Sequence, residues 1–166
     1  MNKEYQAYYQ SEIGLLEIVG TSQVIKSINF IEAEEKSENL AETDMPPMVA
    51  DCLAQLDEYF RGERQTFALN LEPEGTEFQK AVWRQVTTIP YGQTVSYLDL
   101  ARLIGDEKAV RAVGAANGQN KIVIIIPCHR VVGSDGRLIG YGGGLWRKEW
   151  LLNHERRFGG IQMTLF

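Results

Sequence analysis

Metal and disulfide chemistry have little to draw on in this sequence, which has two cysteines and two histidines in 166 residues. Cys52, Cys128, His129 and His154 show no Cys-x-x-Cys or other zinc-type spacing, so no metal site is expected. A disulfide scaffold is not expected in a chain of this size that reads as cytosolic. Long apolar runs are missing as well. The longest, Ile122–Pro127, falls far short of the ~20 residues that a membrane-spanning helix needs. Met1-Asn2-Lys3-Glu4 lacks the basic-then-apolar layout of a signal peptide. The expectation is a soluble, cytoplasmic protein with no membrane partner. There is no internal repeat and no low-complexity tract.

What is present suits a packed core. Hydrophobic residues make up 44% of the chain and charged residues 23%, in a mass of 18.7 kDa. That fits one domain or two small ones. The net charge of −5 argues weakly against a nucleic-acid partner, but it averages two unlike halves. Residues 1–75 hold five Lys/Arg against 15 Asp/Glu, whereas residues 76–166 hold 12 against 7. The split suggests two modules, the second facing a polyanion. The alternative is that the acidic half serves only solubility.

In the first module, Leu15–Val19 and Val24–Ile31 read as strands. Glu32–Asp44 is acidic and reads as an exposed loop. Pro46 and Pro47 open a helix along Val49, Cys52, Leu53, Leu56 and Phe60, which Gly62 stops. Cys52 lies on that stripe as a small core residue. Phe67, Leu69 and Leu71 alternate as a further strand. The segment Glu72–Gly75 is the candidate boundary.

In the second module, Thr76 with Gln79 forms a capping-box pattern ahead of a helix through Phe78, Val82 and Val86. Ser96 with Asp99 caps a short helix through Leu100 and Leu103, closed by Gly105. Asp106 caps the next, with Val110 and Val113. Two short helices joined by a Gly-containing turn make a helix-turn-helix candidate. Val123–Ile126 reads as a buried strand. Val131-Val132 and Leu138-Ile139 read as a hairpin around Ser134-Asp135-Gly136. A last helix covers about Leu145 to Arg157.

Cys128 is the main candidate for chemistry. A thiol in apolar surroundings is normally inert, so reactivity needs a base and something to hold that base. His129 is adjacent, and His154-Glu155 lies on the last helix. Neighbouring side chains of a strand face opposite ways, so Cys128 and His129 cooperate only if the chain turns at Pro127. The helix around Arg111 is dominated by small side chains. It reads either as a tightly packed internal helix or as one that enters a narrow groove and wedges Arg111 into a duplex. Gly140-Tyr141-Gly142-Gly143-Gly144 lacks the strand-before, helix-after context of a dinucleotide fingerprint and reads as a loop or lid.

Ile126-Pro127-Cys128-His129-Arg130-Val131-Val132 resembles the signature of the O6-alkylguanine-DNA alkyltransferases. Tyr91–Tyr97, Arg111–Gly114, Asn117–Asn120 and Lys148–Glu155 match the same family in order and approximate spacing. The resemblance is strong over residues 76–157, whereas residues 1–75 fit the family only in length and strand content. It implies an α/β protein with two parts. The first is a small N-terminal α/β module (1–75) with a β-sheet and one helix. The second is a mainly helical C-terminal module (76–166), with a winged helix-turn-helix and the active-site cysteine.

The implied activity is DNA repair in a single turnover. An alkyl group passes irreversibly from O6-alkylguanine in duplex DNA to Cys128, without a cofactor and in a monomer. O4-alkylthymine is left open as a second lesion. His129 acts through a water as base and Glu155 orients it. Asn120 supports the turn that carries Cys128. Tyr97 helps turn the nucleotide out and gives a proton to the departing guanine. Arg111 fills the vacated place, while Ala112, Gly114 and Ala115 admit the helix to the minor groove. Ser134 touches the phosphate chain, and Val131, Tyr141 and Gly142 form the base pocket.

Two departures from the family pattern follow. Lys121 stands where the family often has Pro, which predicts a looser turn after Asn120. Gly142-Gly143 leaves the pocket wall without a side chain, which predicts room for bulkier alkyl groups. The competing readings are a non-catalytic lesion-binding protein of the same fold, a Cys–His hydrolase and a helix-turn-helix regulator. Relatives of the first kind lack the acceptor cysteine.

Overall fold

The computed structural model describes residues 3–36 and 45–164 and divides the chain into two compact units, Met1–Glu74 and Gly75–Phe166. No helix among the described residues is long and apolar enough to cross a membrane.

The first unit is a three-stranded antiparallel sheet with one helix. The strands β1 (Tyr5–Ser11), β2 (Gly14–Gly20) and β3 (Ile25–Ile31) pair in sequence order. Strand β2 puts alternate residues inward, β3 breaks the alternation at a register shift opposite Val19 and Gly20, and Leu16, Ile18, Ile25 and Ile28 are fully buried. Helix α1 (Pro47–Phe60) begins at a proline, whose missing N–H costs nothing in a first turn. It presses Val49, Cys52, Leu56 and Tyr59 into the same core. Burial pushes the Cys52 thiol up to about 12, so this cysteine is an inert core residue. Of the acidic stretch expected as a loop, Ala33–Glu35 forms one exposed 3-10 turn, and residues 37–44 lie outside the described residues.

The expected strand over Phe67–Leu71 does not form. Only Leu71 bridges to Ile25, in parallel, and the Gln55 amide takes both the N–H and the C=O of Ala68 at 2.9 and 3.2 Å. A side chain of α1 therefore supplies the pairing that a neighbouring strand would have given. The burial alternation survives without a ladder.

The second unit is mainly helical: α2 (Glu77–Val86), α3 (Tyr97–Ile104), α4 (Val110–Gly118) and α5 (Leu145–Thr164), with the two-residue strands β4 (Val95–Ser96) and β5 (Val131–Val132). Both capping boxes form: Thr76 Oγ1 accepts from Gln79 N at 3.1 Å and Ser96 Oγ from Asp99 N at 2.9 Å. Gly105, at φ +99°, closes α3 in the left-handed region, where a side chain would be strained. Asp106 caps a 3-10 turn, Glu107–Ala109, that leads into α4. Trp83 is buried and donates its indole N–H to Ala116 O at 2.8 Å, tying α2 to α4. Phe78 and Leu103, expected on the inner faces of their helices, are exposed at 39% and 56%; Val82, Val86 and Leu100 are buried there as expected, joined by Trp83.

Two further expectations are corrected. Val123–Ile126 is a turn, not a strand. Ile126 N donates to Ile122 O at 3.0 Å, and Ile124 takes φ +73°, which is costly for a β-branched residue. An unbroken β-branched run has the composition of a buried strand, and Ile122, Ile124 and Ile126 are all buried in the turn as they would be in one. Val131-Val132 does not pair with Leu138-Ile139. It pairs in parallel with β4, and the segment after it closes as a wing-like turn through Gly133 N to Arg137 O at 2.8 Å.

Candidate active site

Cys128 starts a single 3-10 turn, Cys128–Arg130, so the chain does bend directly after Pro127. The turn is anchored from two asparagines. Asn117 at the end of α4 donates from Nδ2 to Cys128 O at 3.2 Å. Asn120 Nδ2 reaches Ile126 O at 2.7 Å, Ile122 O at 3.2 Å and Cys128 Sγ at 3.2 Å, while its Oδ1 accepts from Ile122 N at 2.9 Å. With Lys121 in place of proline, the Asn120 side chain and the Ile126–Ile122 bond close this turn. The sulfur is nearly buried, and burial raises the thiol pKa; the Asn120 hydrogen bond and the Lys148 charge pull the other way. At rest Cys128 is a neutral thiol that needs a base.

That base is adjacent. The His129 ring is fully buried, with Nε2 2.7 Å from Glu155 Oε2. Burial opposes ionisation of Glu155, but His129 and Arg130 outweigh it and hold the carboxyl well below the usual range. An ionised Glu155 only accepts, so Nε2 carries the proton. Burial also lowers the His129 pKa, only partly offset by Glu155, and leaves a neutral imidazole. Its Nδ1 is buried with no hydrogen-bond partner. A neutral ring with a free lone pair, on the residue next in sequence to the thiol, is what general-base activation through a water would use.

Tyr97 opens α3. Its hydroxyl donates to Ile139 O at 2.8 Å and accepts from Lys148 Nζ at 3.3 Å. Burial and the nearby Cys128 raise its pKa, so it remains a proton donor, although its proton is engaged by Ile139 at rest. Tyr141 has a half-buried ring and a buried hydroxyl with no hydrogen-bond partner. Burial first, then the charge on Cys128, drives its pKa far above 10. Val131 is buried in β5. Gly142 is exposed, with nothing within 4 Å of where a Cβ would sit.

The remaining sequence-derived residues are surface. Arg111, Ala112 and Ala115 are exposed on α4, Gly114 is half-buried against the Tyr97 ring, and Ser134 is exposed in the turn after β5. They contribute a face of small side chains with one cation, apart from the hydrogen-bonded cluster around Cys128.

Three site residues had no role in the sequence reading. Arg130 grips Glu155 from Nε and Nη2 at 2.8 and 3.0 Å and gives Nη1 to Ile89 O at 2.7 Å. Lys148 is fully buried and donates to Ile139 O, Gly140 O and Tyr97 at 2.8, 3.2 and 3.3 Å. Burial lowers its pKa to about 8. Asn117 is the third. A signal for Lys148 was present: Lys148, Leu151, Leu152 and Glu155 follow helical spacing, so a lysine and a glutamate share the inward stripe of α5. Among the described residues no group of three His, Cys, Asp or Glu side chains is placed to hold a metal ion.

Comparison with known proteins bears on both units. The family model for 6-O-methylguanine DNA methyltransferase, DNA binding domain, matches residues 77–157, and that for its ribonuclease-like domain matches residues 5–73. A methylated-DNA–protein-cysteine methyltransferase of Mycolicibacterium paratuberculosis is 46% identical over 156 residues, covering 94% of each chain. One from Methanosarcina acetivorans is 44% identical over 91% of this chain and 97% of its own. Among solved structures, Mycobacterium tuberculosis O6-methylguanine methyltransferase superposes with a TM-score of 0.81 at 41% identity, covering 93% of this chain and 94% of that one. The same organism's protein in complex with DNA gives 0.82 at 41% identity over the same shares.

Proposed function

The chain belongs to the 6-O-methylguanine DNA methyltransferase family and is a DNA-repair methylated-DNA–protein-cysteine methyltransferase, and we propose that Cys128 is the acceptor, that O6-alkylguanine in duplex DNA is the substrate, and that one monomer acts once. One observation carries the reading: Cys128 Sγ is held by Asn120, and the next residue is a neutral histidine bound to Glu155 with its other nitrogen open.

The step balances as a displacement. The Sγ–carbon bond forms as the carbon–O6 bond breaks. The thiol proton passes through a water to His129 Nδ1, and Asn120 steadies the developing thiolate. Tyr97 turns from Ile139 O to the base and protonates it, so a neutral guanine leaves rather than an anion. The proton held on His129 then returns through solvent to the Tyr97 phenolate, so that overall the thiol exchanges its proton for the alkyl group. Transfer requires a base out of the stack. Arg111 enters the vacated place, Ala112, Gly114 and Ala115 let α4 come close, and Ser134 meets a phosphate. The backbone at Val131 and Gly142, with Tyr141, lines the base pocket. The bare wall at Gly142 gives room for alkyl groups larger than methyl.

Mass spectrometry after mixing the protein with methylated duplex tests this. The expected result is one added methyl on the peptide carrying Cys128. Cys128→Ala should lose all transfer while still binding the duplex. Transfer retained by that variant, or a methyl group on another residue, would overturn the assignment.

A further inference from the structure

Glu155 collects four donors. Oε1 accepts from Arg130 Nε at 2.8 Å and from Gly92 N at 3.2 Å; Oε2 accepts from His129 Nε2 at 2.7 Å and Arg130 Nη2 at 3.0 Å. The guanidinium spends its other arm on Ile89 O at 2.7 Å and lies over the Tyr91 ring, 5.6 Å from the centroid. Arg130 and Glu155 are both buried, and this forked pairing suits arginine and not lysine.

A carboxylate bound to histidine alone favours the imidazolium, and an imidazolium has no lone pair with which to take a proton from sulfur. The charged groups acting on His129 are Glu155 and Lys148 from α5 and Arg130 from its own turn. The Tyr91 and Tyr141 hydroxyls lie within electrostatic reach of the same carboxylate. Among the charged side chains only Glu155 favours a charged ring; Arg130 and Lys148 oppose it. Arg130 is the one that touches the carboxylate.

We propose that Arg130 is a positioning residue for alkyl transfer. Its two-pronged hold on Glu155 keeps His129 uncharged, with the proton on Nε2 and Nδ1 open, so that the base is ready before a lesion arrives. This rests on the reading of Cys128 as acceptor. The same hold ties the relay to the Ile89–Gly92 turn, which leads into β4 and Tyr97.

The test uses the full chain, Arg130→Met and Arg130→Lys. Single-turnover transfer from methylated duplex is followed across the acid and alkaline ranges, alongside nitrogen NMR of the imidazoles, which two histidines make simple to assign. In the wild type at neutral pH, His129 should be neutral and protonated on Nε2. Arg130→Met should move the acid limb of the rate up by about one pH unit, a roughly tenfold loss on that limb, with the rate near wild type under alkaline conditions. Arg130→Lys should fall between. An unmoved limb, an equal loss at every pH, or a wild-type His129 that is imidazolium or protonated on Nδ1 would overturn the proposal. Should Arg130→Met not fold, the wild-type spectrum and Arg130→Lys decide it. A wild type that stays unmethylated at Cys128 would sink the acceptor reading instead, and the imidazole tautomer would still judge Arg130.

Discussion

A buried histidine held neutral has a cost that appears when the solution is acidified. Burial lowers the His129 pKa, whereas an unfolded chain titrates near the free value of ~6.5. Below that pH the unfolded state binds a proton that the folded state refuses, so stability falls with a slope approaching ~1.4 kcal/mol per pH unit until the folded pKa is reached. Glu155 adds a second stage of the same sign. Its pKa is depressed by His129 and Arg130 against the pull of burial, so its contribution is present above the free carboxylate range and is lost as pH falls below ~4.3. Thermal melts on the way down from neutrality should show the first stage, and His129→Asn should flatten it. An unchanged slope in that variant would mean that another group is responsible. The cluster shows how far single residues can be read from sequence. Cys128 and its adjacent base were visible as chemistry, and the motif resemblance supplied Glu155, Asn120 and Tyr97. Arg130 lies within Ile126–Val132 but shows no role in sequence, because its partner is 25 residues away and its bond to Ile89 reaches back 41.

Elements whose determinants lie within a few residues were legible. Thr76–Gln79 and Ser96–Asp99 each bond across three positions, and both helices begin where those pairs place them. Elements whose backbone partners come from elsewhere were not. Gln55 replaces a strand beside Ala68, Asn120 folds the Ile-rich run into a turn, and β4 takes the pairing assigned to Leu138-Ile139. For α4 the pattern of small residues left two readings, internal packing or groove entry. The structure gives it one buried side, with Val113, Ala116 and Asn117, and one exposed side, with Arg111, Ala112 and Ala115. If the exposed side approaches the duplex, bulk there harms binding without harming the fold. Ala115→Leu should change stability by no more than ~0.5 kcal/mol, since the site is exposed, yet weaken duplex binding about tenfold or more. Arg111→Ala should slow repair of duplex more than reaction with a free alkylated guanine base. Equal losses on both substrates would remove the proposed role of Arg111 in holding the stack.

At the scale of the whole molecule, approach and reaction depend on different quantities. The second half of the chain carries 12 basic against 7 acidic side chains, in a protein whose net charge is −5. Its attraction to DNA is therefore local, and counterion release makes it weaken steeply with salt. On the proposed transfer to Cys128 the alkylated product is a thioether, a poor leaving group in a buried pocket, which nothing in the site would turn back into a thiol. Salt should then change how fast the protein finds a lesion but not how much it repairs. With excess methylated duplex, the methyl transferred should stop at about one per protein molecule at every salt concentration, while the rate of approach to that endpoint falls as salt is raised. The endpoint is read by quantifying methylated Cys128 against total protein over time. Transfer that continues past one equivalent would show that the thiol is being restored, and the protein would have to be described as a turning-over enzyme instead of a consumed reagent.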